Sequence, residues 1–183
     1  MTASIPAAET ARLRSRLRGI TVVFMIGLVV SGLTAFPLLT EVRWLAQCLS
    51  ADPSLPISDL RGWIGRVLAA LEAVDRHHHF LPYGTDWLAF GHLVIALFFI
   101  GPYRDPVANA WVFRVGLVAC AGVIPLALIC GAIRGVPFYW RLVDCSFGVF
   151  GAVLLTLALR WSSRLRTLTF RQPPSSDENS PSV

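Results

Sequence analysis

The apolar residues of this chain are concentrated in four long runs, and most of the charged residues lie between them. The runs cover about residues 19–40, 84–101, 107–133 and 142–159. A helix of roughly 20 apolar residues crosses a bilayer, and it satisfies its own backbone hydrogen bonds on the way. The pattern therefore predicts an all-α polytopic membrane protein with four transmembrane helices. Pro125, inside the third run, predicts a kink because proline has no N–H to donate.

The first run follows a basic segment, residues 1–18, and continues for longer than the apolar region of an ordinary signal peptide. No A-x-A-like cleavage site follows it, so we expect an uncleaved first span. Because this span is apolar on all sides, we expect it at the periphery of the bundle or in contact with another subunit. Residues 163–183 form the C-terminal segment, whose part after Arg171 is rich in proline and serine and is expected to be disordered from about residue 172.

One stretch between the first two runs has the spacing of an amphipathic helix. From about residue 58 to 75, apolar residues recur at i, i+3, i+4 and i+7, and Pro53 and Pro56 precede the stretch. The rest of the segment from Glu41 to Tyr83 is mixed in composition. We expect one amphipathic helix that lies in the exterior membrane interface or enters the groove of a partner protein.

Composition supports the membrane assignment and gives the chain a direction. Of the 183 residues, 55% are hydrophobic and the mean hydropathy is +0.61. The net charge of +5 comes from arginines that flank the apolar runs, so nucleic acid is not an expected partner. Most arginines lie in the two terminal segments and the loop after the second span, which predicts a bacterial inner-membrane protein with both termini in the cytoplasm.

Several ionisable residues fall near the exterior ends of the spans and could form a polar pocket. Ionisable groups at such depth are costly and usually face the bundle interior. We expect this predicted polar pocket to contain Asp86, His92, Arg134, Arg141 and Asp144. It is either a site, with carboxylates as acids and arginine as an anion clamp, or a set of interhelical ion pairs that joins the second and fourth spans.

No cofactor is predicted, and a haem or quinone at the exterior side is the alternative. Haem ligation by two histidines needs a second histidine at the depth of His92, and no other span contains one. His77 and His79 offer a metal site only if further ligands join them; otherwise they form a polar helix end. The four cysteines contain no C-x-x-C pair.

Small residues at helical spacing predict close packing among the second, third and fourth spans, because they let helix backbones approach. The predicted contact positions are Gly84, Gly91, Ala127, Gly131, Gly148 and Gly151.

Three segments, residues 85–92, 101–106 and 140–148, together resemble a group of uncharacterised small four-helix bacterial inner-membrane proteins. The resemblance covers about residues 84–159 and implies an inner-membrane location but no activity. From the residues themselves we expect a non-catalytic small subunit or accessory factor, with lipid and a membrane-protein partner or a second copy as its contacts. The alternatives are a redox or proton-coupled protein that binds quinone or haem, and a small transporter.

Overall fold

The computed structural model describes residues 4–51 and 56–170, which fold into helices without any strand. A five-residue π-helical turn, Leu126–Cys130, interrupts the third span. The predicted disorder from residue 172 and the position of Pro53 lie outside the described residues. The helices are α1 (Ser4–Ala35), α2 (Leu38–Ser50), α3 (Ser58–His77), α4 (Tyr83–Phe98), α5 (Ile100–Arg104), α6 (Ala110–Pro125), α7 (Gly131–Ile133) and α8 (Phe138–Phe170).

Four stretches are long and apolar enough to cross a membrane: Ala8–Ala35, Tyr83–Arg104, Ala110–Ile133 and Phe138–Phe170. The predicted all-α fold with four spans is confirmed.

The first helix begins earlier, and the last helix ends later, than the apolar runs that predict them, and α1 ends at Ala35, before the end of the first run at about residue 40. Residues 1–18 and 163–170 were expected to be segments apart from the bundle, but the described part of each is helical. Leu13, Leu17 and Leu165 explain this difference, because they are buried although arginines surround them in the sequence. The two helix ends therefore pack on each other beyond the apolar runs.

The four spans pack in the order α4, α1, α8, α6. α1 packs on both α4 and α8, and α8 packs on α6, while α4 makes no extended contact with α6 or α8 in the described structure. The core lies toward the end of the bundle at which α1 begins and α8 ends, which we call the terminal end. There Phe99 lies 4.7 Å from Phe24 and 6.2 Å from Phe113, measured between ring centroids.

The expectation of a peripheral first span is wrong, because α1 is the central helix. A Cβ built on Gly32 would lie 2.8 Å from the carbonyl oxygen of Ala89, so the backbones of α1 and α4 meet at this position. Thr21, which is also buried, donates its hydroxyl to the carbonyl of Leu17 at 2.7 Å and so brings no unsatisfied polar group into the interface.

Glycines also set the close approach of α6 and α8. A Cβ on Gly148 would lie 2.7 Å from the carbonyl oxygen of Cys120, and one on Gly151 would lie 2.7 Å from the sulfur of the same residue. The predicted contacts at Gly84 and Gly91 are wrong within this chain, because a Cβ on either would meet no atom within 4 Å. Glycine spacing marked α4 as a packing helix, but its partner is α1 and the contact glycine is Gly32.

The chain between the first two spans forms a helical hairpin, α2–α3. The predicted amphipathic helix is present as α3, but its apolar side packs on α2, which the mixed composition of residues 41–50 did not indicate. Val42 and Ile64 are buried in the hairpin. Arg43 pairs with Glu72 at 3.2 Å, and Arg61 Nε donates to the carbonyl of Leu49 at 2.9 Å.

Replacing Gly148 with alanine should destabilise the bundle, because the new methyl group would press on the backbone of Cys120 and force α6 and α8 apart. We expect a loss of about 1–3 kcal/mol, measured by thermal unfolding of the purified protein followed by circular dichroism.

Gly91→Ala is the matched control, since its methyl group meets no neighbour and alanine favours a helix by up to about 1 kcal/mol over glycine. Equal losses in the two variants would contradict the α6–α8 contact.

Candidate functional site

The structure does not bring the members of the predicted polar pocket together. Asp86 and His92 lie on α4, Arg141 and Asp144 lie on α8, and α1 packs between these two helices. Arg134 is exposed in the turn after α7. In the described ranges, no ion pair connects any two of these five residues.

His92 is half-buried at the contact between α4 and α1. Its Nδ1 lies 2.9 Å from the carbonyl oxygen of Leu88, one turn earlier on the same helix, so the tautomer with a proton on Nδ1 donates to that oxygen. A Cβ on Gly32 would lie 3.2 Å from the Cβ of His92, which places the histidine directly on the α1 backbone. The side chain thus has a packing position and a local hydrogen bond.

The other three histidines lie at the far end of α3. His79 Nδ1 is 3.7 Å from an oxygen of Asp75, and both side chains are largely exposed. His77 and His78 meet edge to face with their centroids 6.4 Å apart. Over the described residues, no group of three or more His, Cys, Asp or Glu side chains is arranged to hold a metal ion.

Arg141 is the member of the predicted pocket with the most defined surroundings. Its Nη1 donates to the carbonyl of Leu128 at 3.1 Å, inside the π-helical turn that follows Pro125. Its aliphatic stem covers Gly131, where a Cβ would lie 2.7 Å from Cδ of the arginine. The guanidinium carbon is 5.2 Å from the ring centroid of Phe138.

This arrangement gives Arg141 a structural role, while its predicted role as an anion clamp stays a prediction. Pro125 has no N–H to donate to the carbonyl of Ala121, and the helix continues after it as a π turn that contains Leu128. In a membrane, polar backbone groups at such an irregular turn are stabilised by a donor from a neighbouring element. Arg141 supplies one from α8 to Leu128 and so ties the third span to the fourth.

The first turn of α8 also holds the hairpin, which the aromatic run from Phe138 to Trp140 did not reveal. The hydroxyl of Tyr139 donates to the carbonyl of Asp59 at 3.1 Å and joins the start of α3 to the start of α8. A shallow cleft of about 500 Å³ lies along this junction, with Ser58, Arg66 and Pro137 among its walls.

No protein-family model, curated protein or solved structure matches this chain. Any function must therefore be argued from the chain's own geometry.

Removing the Arg141 side chain should loosen the third span, because the carbonyl of Leu128 loses its donor. We expect Arg141→Ala to destabilise the protein by about 1–3 kcal/mol in thermal unfolding and to speed amide hydrogen exchange in residues 126–133. Arg134→Ala, at an exposed position nearby, should change neither quantity.

A double-mutant cycle tests the contact between Arg141 and Gly131. Gly131→Ala should be destabilising in the native background and neutral or stabilising in the Arg141→Ala background, where its methyl group has room. Strictly additive effects would show that the arginine stem does not cover the glycine.

Proposed function

We propose that this protein is a non-catalytic accessory subunit of a larger membrane complex, and that the α2–α3 hairpin is the part that a partner subunit contacts. The supporting observation is the independence of the hairpin. It buries its own apolar residues between its two helices, and α3 makes no extended contact with the described spans. It is joined to the bundle by the connection through Pro37, by residues 78–82 between α3 and α4, and by the hydrogen bond from Tyr139.

The outer face of α2 has the character of a protein-binding surface. Trp44 is 66% exposed although its helix has an apolar side against α3. Gln47 and Cys48 are exposed beside it. Exposed aromatic residues with polar neighbours are enriched in protein interfaces, where one tryptophan often supplies much of the affinity.

The polar groups required by the redox alternative do not converge on one site. Asp86 and His92 are separated from Asp144 by α1, and His92 uses Nδ1 on its own helix. The transporter alternative depends on the same residues. Neither alternative gains a supporting contact from the geometry, so the accessory role is the function we propose.

We place the protein in a bacterial inner membrane, with the terminal end in the cytoplasm and the hairpin outside. The support is the excess of arginine at the terminal end, since positively charged segments are retained on the cytoplasmic side. A partner subunit would then contact the hairpin in the periplasm or at the periplasmic surface of the inner membrane.

The partner proposal predicts that the tagged protein, extracted from native membranes in mild detergent, elutes with a second polypeptide in fixed stoichiometry. Trp44→Ala combined with Gln47→Ala should lower the recovery of that polypeptide by about tenfold or more, as expected for loss of an aromatic hot spot. Val118→Ala, on an exposed lipid-facing position of α6, is the control and should leave recovery unchanged.

The reciprocal experiment gives the result its specificity: a tag on the second polypeptide must recover this chain. Elution of the native chain alone, or equal recovery from both variants, would overturn the accessory role. Circular dichroism of each variant checks that the hairpin remains folded.

The orientation is tested with a natural cysteine. Cys48 and Cys130 are both exposed, so Cys130 is first replaced with serine; in that background a membrane-impermeant maleimide should label Cys48 in spheroplasts, whereas Cys48→Ser should lose that label. In the Cys48→Ser background, Ser163→Cys at the terminal end should be labelled only after the membrane is broken. Labelling in the opposite order would reverse the orientation.

A further inference from the structure

At the terminal end, three segments that are distant in sequence surround a cleft of about 330 Å³. α1 contributes Arg14 and Arg18, the last residue of α5 is Arg104, and the last turns of α8 contribute Arg166. We call this feature the arginine cleft and define it by these four side chains. It was not anticipated from the sequence, where the arginines served only to indicate orientation.

Asp105 also lines the arginine cleft, so among the described lining residues four arginines face one carboxylate and the cleft keeps an excess of positive charge. Two acidic residues are described at this end, Glu9 and Asp105. Glu9 forms an ion pair with Arg164, and Asp105 Oδ1 accepts the backbone N–H groups of Val107 at 3.0 Å and Ala108 at 2.9 Å. Within the described ranges, no carboxylate lies within ion-pair distance of the four cleft arginines.

The floor of the cleft is held in place, so the arginines converge on a fixed surface. The hydroxyl of Ser162 donates to the carbonyl of Pro106 at 2.7 Å and ties the turn after α5 to α8. Asn109 Nδ2 lies 3.2 Å from the carbonyl oxygen of Gly101 and 3.0 Å from that of Asp105, which closes the turn on itself. Leu165 is buried beneath it. A rigid floor lowers the cost of assembling a binding site.

The cleft lies at the depth where the apolar spans end. The guanidinium carbon of Arg18 is 5.7 Å from the ring centroid of Tyr103, and that of Arg16 is 5.9 Å from the ring of Trp161. Tyrosine and tryptophan mark the boundary between hydrocarbon and headgroups. Trp111, on the first turn of α6, is exposed close to the same turn and offers an apolar flank toward the lipid.

We propose that the arginine cleft binds the headgroup phosphate of an anionic phospholipid. Guanidinium groups bind phosphate oxygens with two parallel hydrogen bonds, and four of them around one cavity supply charge and donors that the described residues leave unused. A lipid meets both requirements of the position, since its phosphate lies at the depth of Tyr103 and its acyl chains lie against the apolar surface of α6.

The test is a lipid titration of the delipidated full-length protein followed by native mass spectrometry. Phosphatidylglycerol should bind at lower concentration than phosphatidylcholine. With roughly a fivefold effect for each arginine near the headgroups, Arg104→Gln combined with Arg166→Gln should weaken phosphatidylglycerol binding by about tenfold or more.

Arg12→Gln combined with Arg160→Gln is the matched control. It removes the same charge at the same end, from exposed residues that do not line the cleft, and should change binding by no more than about twofold. Equal losses in the two double variants would mean that the bundle end attracts anions through its total charge, and would overturn the proposal. Circular dichroism and single Arg166→Gln keep the comparison valid if the double variant folds poorly.

Two further arms separate the lipid from other sources of negative charge. Inorganic phosphate that displaces phosphatidylglycerol at equal concentration would assign the cleft to a soluble anion. Lipid binding that appears only in a chain shortened after Arg171 would assign it to the acidic residues of the C-terminal segment, Asp177 and Glu178. Either result would overturn the lipid proposal, whereas an unchanged affinity in both arms supports it.

Discussion

The position of α1 between α4 and α8 is the constraint on which the other contacts depend. Gly32 lets α1 approach the backbone of α4, and Phe24 of the same helix reaches both Phe99 and the surface at Gly151. Because α1 occupies this position, the polar residues of α4 cannot meet those of α8. The same placement brings the arginines at the start of α1 beside the end of α8, where the arginine cleft forms. The position of α1 therefore separates the polar residues of α4 from those of α8 and also forms the arginine cleft, which the sequence did not predict.

The spans themselves were predictable because a bilayer imposes a length and an apolar composition on each. Which span packs against which was not predictable. In a soluble protein the apolar stripe of a helix points to the core, but a spanning helix is apolar on its lipid side as well, so the pattern carries no direction. Gly91 and Gly32 look equivalent in the sequence, yet only Gly32 has a helix against it. α2 was missed for a related reason, since the exposed residues Glu41 and Arg43 flank the buried Val42 and interrupt the apolar run in the sequence.

At Arg141, a member of the predicted pocket, the structure shows a contact that the sequence did not predict. Pro125 predicted an irregularity in the third span, and the structure has a π turn directly after it. The sequence does not tell which side chain donates a hydrogen bond to that turn. Arg141, which follows the proline on the next helix, is placed by the antiparallel packing of α8 against the π turn. An intramembrane charge that looked like part of a binding site is thus used to complete the backbone hydrogen bonding of its neighbour.

The arginines at the terminal end can serve two tasks that make different demands on position. Orientation depends on how many positive charges flank the spans, so any arginine near the membrane surface contributes in a similar way. Binding of a phosphate group depends on convergence, and only the residues that α1, α5 and α8 bring to one cavity satisfy it. Arg12 and Arg160 meet the first demand alone, whereas Arg104 and Arg166 meet both. Helix packing therefore brings some of the arginines that indicate orientation into one proposed binding site. Which arginines these are cannot be predicted until the order of the helices is known.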